Sequence, residues 1–225
     1  MVLHRHGAQA LLSFLNARLY LYTSIYYHRT VRRIDLHMRE IFRETVDRIL
    51  PGNPLDHLDT YRELTDWSLI DTVDRWQHEP GRARELSLEW ARIVRRQLKW
   101  RLIFEDYYEF SDPAVPIVYP KPADYVERIR AALPASLKHV SIEVDLASVD
   151  PRPQNPLNDP FPVNIYNPVS RSVERSAVAD LFRRLPIRTT LVRVFTDETA
   201  QLQTLRRAVE EALYRPDAPL VAAVP

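Results

Sequence analysis

Ala17-Arg18-Leu19-Tyr20-Leu21-Tyr22-Thr23-Ser24-Ile25-Tyr26-Tyr27-His28-Arg29 lies inside a longer stretch, from after Gly7 to Leu50, that contains neither Gly nor Pro. Across it Leu11, Leu15, Leu19, Tyr22, Tyr26, Arg29 and Arg33 recur at helical spacing, which predicts one long helix or two in series. On an ideal helix the eleven residues from Arg18 to Arg29 bring the two arginines to within about 20° of azimuth, with Tyr22 and Tyr26 near the stripe between them. A cation, two aromatic rings and a second cation on one stripe suit a nucleoside triphosphate. Guanidinium groups would neutralise phosphate oxygens, and a tyrosine face or hydroxyl would pack against sugar or base. The same spacing fits an interfacial helix whose tyrosines pack and whose arginines snorkel.

Outward from this segment, the helical pattern stops at Pro51-Gly52-Asn53-Pro54, because proline lacks the N–H and clashes with the preceding turn. Thr65-Asp66 then predicts a capped helix over Trp67–Gln77, with Trp67, Leu69, Ile70, Val73 and Trp76 as its apolar face. After Pro80-Gly81, the spacing of Leu86, Trp90, Ile93, Val94 and Leu98 predicts another helix to about Trp100. The first 110 residues are therefore expected to be all helical.

Beyond Phe110 the pattern changes, since 15 of the 18 prolines lie at Pro113 or later. A short helix is predicted near Ala123–Leu133, and period-two alternation over Val140–Leu146 predicts a half-buried strand. A proline-rich loop spans Asp150–Pro162. Strands at Val163–Tyr166 and Thr189–Phe195 and helices at Ser170–Leu185 and Thr199–Tyr214 complete a small α+β unit. The expected organisation is a helical portion over residues 1–110, an α+β lobe over 111–214 and a flexible tail over 215–225.

A chain of 225 residues with 45% hydrophobic content is long enough for one sizeable core or two small ones. Formal net charge is +1 with both signs mixed throughout, which argues against a nucleic-acid partner and requires any nucleotide binding to be local. Of 31 basic residues 28 are Arg, the side chain that grips phosphate through two hydrogen bonds at once. The absence of cysteine excludes disulfides, thiolate zinc sites and cysteine nucleophiles. No apolar run reaches the roughly 18 residues of a membrane span, and Met1–Ala10 carries His and Arg where a signal peptide needs an apolar stretch. The expectation is a cytoplasmic protein.

Phe14-Leu15-Asn16-Ala17-Arg18, Tyr26-Tyr27-His28-Arg29 and Asp35-Leu36-His37-Met38 together resemble the helix after the last metal ligand in HD-domain deoxynucleotide triphosphohydrolases. These comprise the SAM-and-HD-domain family and its bacterial relatives. The resemblance extends through Tyr61–Asp66, Trp100–Phe104, Asn167–Arg175 and Leu191–Phe195, and so covers about Leu11–Leu213. It implies a mainly α chain: the helical C-terminal part of an HD-domain fold followed by a small α+β lobe. It also implies that Arg18 contacts the substrate triphosphate and Tyr26 packs on the deoxyribose. His28 and Arg29 would reach an allosteric nucleotide between subunits of a homo-oligomer, and Arg171 and Arg175 would contact an activating nucleotide such as GTP. On a helix those two arginines would lie side by side near an anion-attracting N-terminus, although Glu174 between them also fits a surface ion pair.

Members of that family bind a divalent metal of the Mn, Mg, Fe or Zn type through a His, a His-Asp dipeptide and a distant Asp. This chain has no His-Asp dipeptide; its histidines are His4, His6, His28, His37, His57, His78 and His139. In the family every metal ligand lies upstream of the region matching Met1. The expected function is thus the substrate-contacting and oligomerising part of a metal-dependent dNTP triphosphohydrolase. It would bind no metal or cofactor of its own, hold no catalytic residue and be inactive without an N-terminal HD half, as a truncated product or one of two separate chains. The alternative is a non-catalytic nucleotide-sensing or protein-interaction module with Tyr20, Tyr22, Tyr26 and Tyr27 as its surface. A third reading, an unrelated hydrolase, rests only on the acidic cluster Glu105, Asp106 and Glu109.

Overall fold

A computed structural model of the chain describes residues 2–110, 121–151, 164–174, 185–186 and 188–214. It is mainly helical, and its contacts divide it into two compact units, Arg29–Arg101 and Met1–His28 with Leu102–Pro225. The cuts at 28/29 and 101/102 differ from the expected division at 110: the first helix groups with the later sheet. No helix among the described residues is long and apolar enough to cross a membrane.

The helical unit contains α2 (Arg29–Ile49), α3 (Leu58–Glu63), α4 (Asp66–Arg75) and α5 (Arg82–Val94). Thr65 caps α4 as the sequence predicts: its hydroxyl accepts from Ser68 N at 3.2 Å while Ser68 Oγ accepts from Thr65 N at 2.8 Å. Each apolar stripe then meets another, with Ile41 from α2, Leu69 and Val73 from α4 and Leu86, Trp90 and Ile93 from α5 in one core. Fully burying a side chain of this size stabilises by roughly 1.5–3 kcal/mol. The Trp90 indole N–H donates to Thr45 Oγ1 at 2.9 Å, so this large core residue brings no unpaired polar atom inside.

Helix α1 (Ala8–Leu21) belongs to the other unit, with strands β1 (Val2–His4), β2 (Arg101–Phe110), β3 (Ile142–Val149), β4 (Asn164–Asn167), β5 (Ser172–Glu174) and β6 (Arg188–Thr196). Helices α6 (Pro122–Ala132) and α7 (Leu202–Leu213) complete it. One sheet has the order β2-β6-β3, and β6 runs antiparallel to β3 from Thr189↔Val149 to Thr196↔Ile142. Strand alternation gives this sheet two unlike faces. Val192, Val194, Ile142 and Val144 pack with Ile129 of α6 and Leu205 of α7. The opposite face carries Thr189, Leu191 and Arg193 of β6. The second sheet has the order β1-β4-β5, with β1 parallel to β4, and Leu12 and Leu15 of α1 pack with its Ile165.

Three expectations about the elements are corrected. The first 110 residues are not all helical, because β1 and β2 fall within them. The helix expected to reach Trp100 ends at Val94, where Arg96 takes a left-handed φ of 58° and Gln97 N donates to Arg92 O at 2.7 Å. That is a Schellman-type stop made without glycine. The segment Arg101–Phe110 is free to pair as a strand because the helix has already stopped. The helix expected from Ser170 is instead a hairpin: Asn167 Oδ1 accepts from Val169 N at 3.0 Å, Arg171 has φ 52°, and β4 pairs antiparallel with β5. The expected loop interior at 152–162, the remainder of that helix at 175–184 and the tail at 215–225 lie outside the described residues.

Candidate functional site

Helix α1 does not run straight into α2. Thr23 Oγ1 donates back to Leu19 O at 3.0 Å, a side-chain bond that competes with the regular ladder. Tyr22–Tyr26 then form a π-helical turn closed by Tyr27 N donating to Tyr22 O at 2.8 Å, an i to i−5 bond. The widened turn places three tyrosine rings against one another, with Tyr22 at 5.1 Å from Tyr26 and 5.7 Å from Tyr27. The Arg18 guanidinium carbon lies 5.1 Å from the Tyr22 ring centroid, within cation–π range. The Tyr27 hydroxyl donates to Ser148 O at 2.9 Å and anchors the turn to β3.

This array can hold an anion with a flat or ring-shaped attachment. Arg18 Nε is buried and has no hydrogen-bond partner among the described residues, so a fixed positive group retains donor capacity. Tyr26 is 55% exposed at the open end of the stack. Tyr22, noted on the sequence stripe but given no contact role there, is the residue that joins Arg18 to Tyr26. Only the i,i+4 spacing of 18, 22 and 26 signals this.

His28 is exposed at the end of the turn, and Arg29 opens α2. In the helical unit, burial first, then the positive charges of Arg101 and Arg29, hold the Arg33 guanidinium below the usual arginine range. The three arginines form a basic cluster that would be relieved by an anion; the i,i+4 spacing of Arg29 and Arg33 was its sequence signal. Arg171 is exposed in the β4–β5 turn rather than on a helix. Arg175 itself lies outside the described residues.

A second feature occupies the polar face of the β2-β6-β3 sheet. Leu19, Tyr20 and Thr23 line a cleft of about 530 Å³ together with Glu105, Tyr107 and Glu109 of β2. Asp106 also borders it, but its carboxylate accepts from Tyr214 Oη at 2.9 Å, Tyr108 Oη at 3.2 Å and Tyr107 N at 2.8 Å. Glu105 pairs with Arg193. Among the described residues these engagements leave no adjacent pair of free carboxylates beside the cleft. Among the described residues no three His, Asp or Glu side chains are disposed to hold a metal, and His4 Nδ1 is occupied with His6 N at 3.3 Å.

No family model and no curated protein matches the chain. Among solved structures, the chain is similar to a hypothetical protein from Aquifex aeolicus, with a TM-score of 0.59 and 18% identity. The match covers 92% of this chain and 47% of that one, so the chain spans about half the length of that protein. At this identity the likeness concerns the fold alone.

Proposed function

We propose that this chain is the nucleotide-contacting and oligomerising portion of a metal-dependent dNTP triphosphohydrolase, acting in the cytoplasm and releasing deoxynucleoside and triphosphate only when joined to a metal-carrying half. The observation that carries the reading is the Arg18-Tyr22-Tyr26 array, with its buried Nε unpartnered among the described residues and its exposed terminal ring. Arg18 would bind phosphate oxygens through charge-assisted hydrogen bonds, and the Tyr26 ring would pack on the sugar and disfavour a bulkier one. The metal, held elsewhere, would supply polarisation of phosphate and activation of water. His28, Arg29, Arg171 and Arg175 would serve a second, regulatory nucleotide.

The test is calorimetric titration of the full chain with dGTP and GTP. Arg18→Ala is expected to weaken dGTP binding at least tenfold, in line with loss of a charge-assisted bond. The chain alone is expected to show no hydrolysis with added Mn²⁺ or Mg²⁺. Turnover that depends on Arg18 would overturn the division of labour, and absence of any nucleotide binding would overturn the reading itself. A protein-interaction module is the second reading, favoured by the exposure of Phe14 (65%), Tyr20 (64%) and Ile25 (59%). Binding of neither nucleotide leaves that reading standing.

A further inference from the structure

We infer that the cleft on the polar face of the β2-β6-β3 sheet is a binding site for an elongated organic polycation, a polyamine such as spermidine, independent of the nucleotide array. Its volume of about 530 Å³ lies in the range of small-molecule sites. Its wall is acidic: Glu105 and Glu109 both line it. Glu105 is balanced by the buried Arg193, whereas Glu109 has no ion-pair or hydrogen-bond partner among the described residues. A nucleotide phosphate would be repelled here, which separates this cleft from the Arg18 array.

A second observation comes from β6 on the other side of the cleft. Thr189 lines it, is only 2% exposed, and its Oγ1 is buried with no hydrogen-bond partner among the described residues. A buried hydroxyl left unpaired is costly, and an ammonium N–H is a donor that would satisfy its lone pairs. Neighbouring Thr190 has no such need, because its hydroxyl already bonds Ser148 Oγ at 2.9 Å.

The spacing of these groups selects the shape of the ligand. Glu105 and Glu109 sit on one strand face with Tyr107 between them, so their Cα atoms are about 13 Å apart at the usual rise per residue. A compact metal ion cannot reach both, and no three His, Asp or Glu side chains among the described residues are arranged around one point. A chain of methylenes with ammonium groups along it can. Its apolar stem would lie against Leu19 and Leu191, with Tyr20 and Tyr107 offering ring faces to the cationic segments.

The experiment is calorimetric titration of the full chain with spermidine, against 1,2-diaminoethane as a short dication, 1,4-butanediol as a neutral chain and Mg²⁺ alone. Spermidine is expected to bind at least tenfold more tightly than 1,2-diaminoethane, and the diol not at all. Glu109→Gln, a change at an exposed side chain, is expected to weaken spermidine binding about tenfold. Thr189→Val should weaken it several-fold and Thr189→Ser should restore it, while Arg18→Ala leaves it unchanged. The inference is overturned by the absence of spermidine binding at millimolar concentration, by Glu109→Gln binding as the unchanged chain does, or by Mg²⁺ binding that Glu109→Gln abolishes.

Discussion

Helices α1 and α2 are separated by a single turn, yet they meet water in opposite ways. In α2 most apolar residues gather on one side: Leu36 and Ile41 are buried, Val31 and Phe42 are partly exposed, and long charged side chains cover most of the remainder. Helix α1 buries Leu12, Leu15 and Leu19 but leaves Phe14, Tyr20 and Leu21 exposed. Both units carry exposed apolar and aromatic surface, Trp67, Leu55 and Val94 in the helical unit and Phe14, Tyr20 and Leu21 in the sheet-bearing unit, but only the latter three lie on the helix that carries Arg18. The exposed side of α1 adjoins the Arg18 array.

The strongest way to break this comparison is to remove the centre of the helical core. Trp90→Ala is expected to cost about 3–5 kcal/mol by urea denaturation, because it leaves a cavity and strips Thr45 of its indole donor. A loss below 1 kcal/mol would mean that the stripes of α2 and α5 do not form the core described. Alkaline pH should act on the other unit. Burial first, with Asp124 adding to it, pushes Tyr125 up to about 12, and burial followed by the Asp106 charge raises Tyr108 further. The neutral phenols are favoured in the fold, so the stability they add is full below their ordinary value of 10 and is lost as pH rises through about 12. All four tryptophans but only Tyr61 among the tyrosines lie in Arg29–Arg101. Tyrosine circular dichroism should therefore collapse before tryptophan fluorescence shifts; simultaneous loss would refute the assignment.

Smaller effects sharpen the contrast. Thr65→Ala should cost the helical unit about 1 kcal/mol in a thermal melt, since it removes the oxygen that accepts from Ser68 N. Phe14→Ser, at a position 65% exposed, should change stability by less than about 0.5 kcal/mol. A large loss there would show that the outer side of α1 is part of a core after all.

The helical unit was the more legible of the two. Pro51-Gly52, the Thr65 cap and Pro80-Gly81 are local signals, and the helices between them answer to local spacing. The array was legible as far as its stripe, because Arg18, Tyr22 and Tyr26 are i,i+4 neighbours. Strand β2 was missed: its pairing depends on β6, some ninety residues later in the chain, while the helical spacing before it continued through Leu98. Arg171 was misread as lying on the helix expected at Ser170–Leu185, whereas Asn167 and a left-handed φ at Arg171 make a turn there. The cleft at Glu105 and Glu109 was visible only as a run of acids.

By itself the sequence determined that the chain is mainly helical, where the breaks at Pro51-Gly52 and Pro80-Gly81 fall, and which arginines and tyrosines share a stripe. Those properties depend on residues within about two turns of each other. Tertiary structure alone decided that β1 pairs with β4, that β2 pairs with β6, and that Thr189 is buried beside Glu109's cleft without a hydrogen-bond partner among the described residues. Strand partners, burial and the loss of a hydrogen-bond partner are properties of residues far apart in the chain, and only packing brings them together.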